Sequence, residues 1–306
     1  MTTLSAPRLT ASGVEIDTAP ERFGRLRSSN DIAGDSQALH ERIRQDGYLY
    51  LPGLLDKEQV LEARRGLTDR LAEDGLLDPA YPTIESIARP DARVTFRPDL
   101  AMNNPALDRL LYEGAMMDFY RLFFGETVLH YDFTWLRAAS PGTNTSAHCD
   151  VVYMGRGTFD LLTAWTPLGD IAIDGGALMI LEGSNNKRRE LGEYLSRDVD
   201  TYCTNGPNAA KIEQGEMQWE WDGILDNDLV GLQKRLGGRW LTSDFQMGDL
   251  LTFTMGTVHA SLDNHSNRIR LSSDSRYQRA SEPADERWIG PNPPGHGLAG
   301  KRGRIC

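Results

Sequence analysis

The 306-residue chain is poor in cysteine, in histidine and in positive charge, and each shortage removes a class of function. Its three cysteines, Cys149, Cys203 and Cys306, are widely spaced and form no CxxC. That pattern suggests neither a disulfide framework nor a zinc knuckle, and it fits a reducing, cytoplasmic setting. No run approaches the roughly eighteen apolar residues of a membrane span. Residues 1–13 also lack the apolar core of a secretory signal. Lys and Arg number 33 against 44 Asp and Glu, and the resulting net charge of −11 repels phosphate backbones and anionic headgroups. Nucleic acid and membrane are therefore not expected as partners. A free small-molecule substrate, neutral or cationic, is expected instead.

What is present is an ordinary globular composition, 40% hydrophobic and 25% charged, sufficient for a full core. Residues 1–36 are polar and are predicted to form a loosely ordered arm. Residues 37–284 read as a single domain, and the Pro-rich residues 285–306 as a C-terminal tail. Leu39 and Ile43 lead into Tyr48-Leu49-Tyr50-Leu51, as a helix followed by a strand would. Asp56 caps a second helix carrying Val60, Ala63, Leu67 and Leu71 at three-and-four spacing. Residues 106–124 predict one further helix, ended by Gly125. From Val128 onward short β-prone runs alternate with turn residues: 134–137, 159–165, 177–181, 240–241, 249–253 and 269–273. A sandwich or barrel follows. Residues 190–238 interrupt these strands with a polar stretch too long for a hairpin loop, a candidate lid.

The six histidines can be weighed singly. His40, His265 and His296 have no carboxylate two residues on and are read as structural. His148-Cys149-Asp150 and His130-Tyr131-Asp132 each place an imidazole and a carboxylate on one side of an extended chain. His148 follows a Pro-Gly loop, whereas His130 opens a run towards Trp135. His259, after the apolar run 250–253, supplies the distant partner either pair needs. Two histidines and one carboxylate leave three octahedral positions open, as in non-haem Fe(II) oxygenases. Zinc uses the same donors, but there is no HExxH to support hydrolysis. On a strand, Arg270 and Ser272 share a face, a fork and a hydroxyl suited to the far carboxylate of 2-oxoglutarate. Arg268 shares that face and is the alternative anchor; Arg276 is a weaker one.

The chain contains, in order, Asp46-Gly47-Tyr48-Leu49-Tyr50-Leu51-Pro52-Gly53, Ala147-His148-Cys149-Asp150, Ala164-Trp165-Thr166-Pro167-Leu168 and Asp174-Gly175-Gly176-Ala177-Leu178. Gly248-Asp249, His259, Asn264, Arg268 and Arg270 follow. Across residues 46–279 this resembles the phytanoyl-CoA dioxygenase (PhyH) family of Fe(II)- and 2-oxoglutarate-dependent oxygenases. The sequence departs from the family at Glu182-Gly183-Ser184-Asn185, where members often have Pro-Gly-Ser-His.

The resemblance implies a mainly β fold, a double-stranded β-helix (jelly roll, cupin-like) buttressed by N-terminal α-helices. It implies iron on His148, Asp150 and His259, which decides against His130, and 2-oxoglutarate on Arg270, with Ser272, Thr163 and Trp165 beside it. O2 is the co-oxidant. The expected outcome is hydroxylation of an unactivated C–H bond with release of succinate and CO2. Desaturation, epimerisation or cyclisation would use the same chemistry, and a non-catalytic jelly-roll binding protein is the alternative outside enzymes. A carboxylate at Asp150, where related halogenases have Gly or Ala, implies oxygenation. Tyr153, Trp219, Trp221, Trp240 and Arg276 are the candidate substrate contacts.

Overall fold

Apolar residues at helical spacing, followed by runs whose side chains alternate in direction, place a helical layer on a pair of β-sheets. The computed structural model describes residues 8–217 and 221–306. Its first strands are β1 (Thr10–Ala11), β2 (Val14–Glu15) and β3 (Phe23–Arg25). The arm expected over residues 1–36 is not loose where it is described. Leu9, Ala11 and Ile16 are buried, the Ser12 and Gly13 amides donate to the Asp263 carboxylate, and β3 joins a sheet. A few small apolar groups suffice because a distant carboxylate satisfies the turn's amides.

The helical layer comes next. Helix α1 (Ser36–Asp46) starts at Asp35, which accepts the Ala38 amide at 3.1 Å. It ends at Gly47, which has φ 80°; a Cβ there would lie 2.8 Å from Asn185, so both backbone and space demand glycine. Strand β4 (Tyr48–Leu51) and helix α2 (Lys57–Glu73) follow, the latter capped by Asp56 on the Gln59 amide. The single helix expected over 106–124 is two, α3 (Pro105–Tyr112) and α4 (Gly114–Phe124). Glu113 between them is extended and Gly114 takes φ 48°, so the chain turns where glycine permits it.

The remaining elements are β5 (Val128–His130), β6 (Trp135–Ala139), α5 (Val151–Met154), β7 (Leu162–Pro167), β8 (Leu178–Leu181) and α6 (Arg188–Leu195). After them come β9 (Thr201–Cys203), α7 (Ala209–Glu213), α8 (Leu229–Leu236), β10 (Trp240–Thr242), β11 (Leu250–Thr254), β12 (His259–Ser261), β13 (Arg270–Arg279) and β14 (Arg302–Arg304). The larger sheet has the order β4-β11-β7-β13-β5, with β6 also on β13; the smaller is β12-β8-β10-β3. Alternation assigns each face. Leu49, Leu51, Leu162, Ala164, Leu271 and Tyr277 meet α2 and α4, where Val60, Leu67, Leu71 and Tyr120 are also buried. Each such leucine contributes roughly 1.5–3 kcal/mol. On the inner face Tyr48, Tyr50, Trp165 and Phe253 meet Leu178, Ile180 and Leu241 of the smaller sheet. The result is the expected jelly roll backed by N-terminal helices.

Two expectations about the second half are corrected. Residues 285–306 do not form a separate tail: Trp288 is 1% exposed in the core, and β14 pairs in parallel with β9. Buried Arg287 binds Asp285 and Asp200, and Asp200 also takes His296 Nδ1 and Lys301 Nζ, each at 2.8 Å. Nor are the cysteines all unpaired, because that strand pair brings Cys203 and Cys306 together as a disulfide. A separation of 103 residues carries no signal of the kind that a CxxC does. No helix among the described residues is long and apolar enough to cross a membrane.

Candidate active site

The two histidines of the site are ladder partners. His148 N donates to His259 O and His259 N to His148 O, both at 3.0 Å, so the pair sits directly opposite across an antiparallel bridge. The rings project to one side, with centroids 4.1 Å apart. Asp150 has left the extended conformation, with φ −66° and ψ −24° at the entry to α5. Its carboxylate therefore reaches the rings through a helical turn rather than by the strand alternation that the HxD spacing suggests. Asp150 Oδ1 lies 3.9 Å from His148 Nε2 and 3.8 Å from His259 Nε2, and all three residues are buried.

This donor set fits a metal ion. Each imidazole gives its Nδ1 proton to a backbone carbonyl, His148 to Ser146 at 2.8 Å and His259 to Thr257 at 3.1 Å, so each Nε2 lone pair faces the gap. Burial lowers the pKa of both rings, that of His148 to about 3 with help from His259, which keeps them neutral as ligands must be. Burial would raise that of Asp150, but Arg276, the two histidines and the Thr163 hydroxyl outweigh it and hold the carboxyl well below the usual range. Arg276 Nη2 at 3.1 Å and Thr163 Oγ1 both donate to Oδ2. Oδ1 alone is left for an ion.

Strand β13 carries the rest. Its inward face reads Arg270, Ser272, Asp274, Arg276, a polar stripe inside the fold. Arg270 Nη1 donates to Ser272 Oγ at 2.6 Å, while its Nε is buried without a partner and no carboxylate pairs with it among the described residues. Burial, with Arg137 nearby, lowers its pKa to about 10. A buried guanidinium left this way fits an incoming carboxylate. His148, Asp150, Arg270 and Arg276 line a cavity of about 560 Å³ together with Trp135, Arg137, Tyr153, Met154, Ile224 and His296, and His259 joins the cluster through His148 and Asp150. That size is ordinary for a small-molecule site.

Residues 43–272 match the phytanoyl-CoA dioxygenase (PhyH) family. The chain belongs to that family. It is a non-haem dioxygenase that uses Fe(II), 2-oxoglutarate and O2. It is 26% identical over 265 residues to 1-deoxypentalenic acid 11-beta-hydroxylase of Streptomyces exfoliatus, covering 82% of this chain and 83% of that one. The Streptomyces arenae enzyme of the same name is 26% identical over 276 residues, with 85% and 87% covered. Among solved structures, the carbocyclase SnoK from nogalamycin biosynthesis superposes with TM-score 0.56 at 18% identity, over 83% of this chain and 86% of that one. EctD from S. alaskensis superposes with TM-score 0.56 at 16% identity over 98% of each. Both structures share the fold.

Within this PhyH chain the other expected residues separate. Tyr153 lines the cavity, its ring edge-on to His148 and its hydroxyl donating to Asp222 O at 2.8 Å. Arg276 also lines the cavity but is spent on Asp150, Met154 and the face of Trp135. Three expectations are corrected. Trp165 is buried between the sheets against Phe245 and does not line the cavity. Trp240 is fully buried beneath α8, donating to Leu229 O. Arg268 precedes β13, stands 47% exposed and binds Glu85, so it is turned away from the cavity. Trp221 packs edge-on to Tyr194, outside the cavity lining, and Trp219 lies outside the described residues. His130 stacks on Tyr112, apart from the triad. Sequence reasoning missed Trp135, Arg137, Met154, Ile224 and His296. Arg137 was within a predicted strand, but only the register that sets it opposite Ser272 points it inward.

Proposed function

We propose that this dioxygenase holds iron(II) on His148, Asp150 and His259, anchors the C5 carboxylate of 2-oxoglutarate on Arg270 with Ser272, and hydroxylates a small organic metabolite. The observation that carries this reading is Arg270, a buried guanidinium that no carboxylate pairs with among the described residues, lining the same cavity as His148 and Asp150. When bound, iron(II) with 2-oxoglutarate and O2 supplies an oxidant for an unactivated C–H bond, yielding succinate and CO2. The chain's part is orientation. Ser146 O and Thr257 O fix the imidazole tautomers, and Arg276 and Thr163 restrict Asp150 to one oxygen. Tyr153 and Trp135 limit how a substrate can lie beside the cluster. Residues 221–224, pinned by the Tyr153 and Tyr194 hydroxyls on Asp222 O and Gly223 O, line the cavity through Asp222 and Ile224 and are the candidate cover against bulk water.

Hydroxylation is preferred because both curated relatives are named as hydroxylases. Their named acid is the first compound to test. We infer a cytoplasmic setting from the few, widely spaced cysteines, and there the half-exposed Cys203 and exposed Cys306 would be open to reduction. The decisive experiment measures iron by elemental analysis and substrate-stimulated succinate release in the native protein and in His148→Ala, Asp150→Ala and His259→Ala. Native protein should hold one iron, and each variant should fall to background with its circular dichroism unchanged. Full iron in all three variants would refute the assignment.

A further inference from the structure

Three arginines face the cavity, and two are committed. Arg276 gives Nη2 to Asp150, Nη1 to Ser275 O and Nε to Met154 Sδ. Arg270 is assigned above to the C5 carboxylate. Arg137 is the third. Its Nε donates to Asp274 Oδ2 at 2.8 Å, and Asp274 is itself 6% exposed. No described residue accepts from Nη1 or Nη2, and neither atom is sealed off by protein. A carboxylate gripping Nε fixes the plane of a guanidinium and leaves its two terminal nitrogens as a rigid fork. Burial opposes the charge on Arg137, but Asp274 more than restores it. β6 and β13 pair Arg137 with Ser272 in register, on a rung between those of Arg270 and Arg276, and all three arginines line the one cavity.

We propose that Arg137, held by Asp274, is a second carboxylate-binding site in this cavity. The inference rests on the proposed use of Arg270. A planar pair of oxygens matches the two terminal nitrogens that the Asp274 pairing leaves over, and such a fork suits a carboxylate better than a phosphate. The surrounding wall is apolar or aromatic at Trp135, Tyr153, Met154, Ile224 and Phe96, so the bound molecule is an acid with a compact hydrocarbon body or the keto-acid end of the cosubstrate. A neutral or cationic substrate, expected from net charge, does not suit this fork. Long-range charge is screened beyond about 8 Å, and the half-buried Arg137 fork acts inside that distance.

The test uses anaerobic Fe(II)-loaded protein. 2-Oxoglutarate is titrated by its charge-transfer absorption, and calorimetry then follows binding of apolar monocarboxylic acids, each paired with its methyl ester, to the Fe(II)–2-oxoglutarate complex. The variants are Arg137→Met, Arg137→Lys and Asp274→Asn, with iron content and circular dichroism as controls of folding. Cosubstrate affinity about ten- to a hundredfold weaker in Arg137→Met, with Asp274→Asn intermediate, identifies the cosubstrate as the source. Unchanged cosubstrate affinity, with acids preferred over esters by the native protein and no preference in Arg137→Met, identifies the substrate. Unchanged cosubstrate affinity without any acid preference in the native protein, or with the preference retained in Arg137→Met, overturns the proposal. Arg137→Lys keeps the charge without the fork and should recover only part of either effect. Arg270→Ala tests the underlying reading separately, because an unchanged titration there rejects the C5 anchor whatever Arg137 does.

Discussion

The cavity has two walls that are fixed in different ways. On the sheet side, β6, β7 and β13 present side chains whose partners lie on the same or the adjoining strand, as with Arg270 and Ser272 or Arg137 and Asp274. On the opposite side, residues 221–224 and His296 are held at second hand. Tyr153 and Tyr194 pin the backbone of one segment, and the Asp200 cluster with the Cys203–Cys306 disulfide pins the other. Atoms set by a hydrogen-bond ladder keep their separations to fractions of an ångström, which oxidative chemistry requires. Atoms set by loops can be re-sited without touching the ladder. The sheet wall therefore carries the reaction, and the overlying wall carries the fit to a substrate.

Breaking the sheet wall should have the larger consequences. Arg270→Ala removes a buried charge-assisted fork at a cost of about 2–4 kcal/mol in cosubstrate affinity, raising the apparent KM for 2-oxoglutarate roughly thirty- to several-hundredfold. Steady-state succinate release checks it, and an unchanged KM would remove Arg270 from the site. Next come Arg276→Met and Thr163→Val, which release Asp150 Oδ2 and leave the ligand atoms in place. Iron affinity should fall roughly ten- to a hundredfold in each, read by competition with a chelator. Arg276→Lys should recover part of it.

Disturbing the overlying wall should do least. Cys203→Ser opens a covalent link spanning 103 residues and is expected to lower the melting temperature by several degrees. Iron content and the 2-oxoglutarate titration should stay at native values. If either fell with the melting temperature, the two walls would not be separable and the comparison would fail. The same measurement in reducing buffer should reproduce the variant.

The contrast also explains what the chain discloses before it folds. The helices on the sheet's outer face follow from Val60, Ala63, Leu67 and Leu71, since apolar spacing states directly which side is dry. His148, Asp150 and His259, which the structure brings into one cluster that could hold a metal ion, were legible together with the motifs around them. Strand β13 was harder: its predicted extent, 269–273, covers only four of the ten residues of the observed Arg270–Arg279. Asp274, Ser275 and Arg276 resemble solvent-facing residues, yet they are buried because Arg137, the Tyr277 hydroxyl and Asp150 partner them inside. The role of Arg137 depends on register, which no local pattern encodes. The tail was misread because Arg287 and Asp285 look like surface charges until Asp198 and Asp200 arrive from the 190–238 segment.

The reciprocal backbone bonds between His148 and His259 tie ion binding to the cohesion of the fold. An ion gripped by both imidazoles adds a clamp to two stretches of chain that this bridge and the flanking Ser261–Thr145, Asn264–Thr143 and Val151–Met255 backbone bonds already join. Opening that bridge would then require the ion to leave. The amide protons of these two residues should consequently exchange with deuterated solvent far more slowly in loaded protein than in chelated protein, while those of β4 and β11 keep the same protection in both. Occupancy of the centre would thus be recorded in the backbone, without reference to turnover.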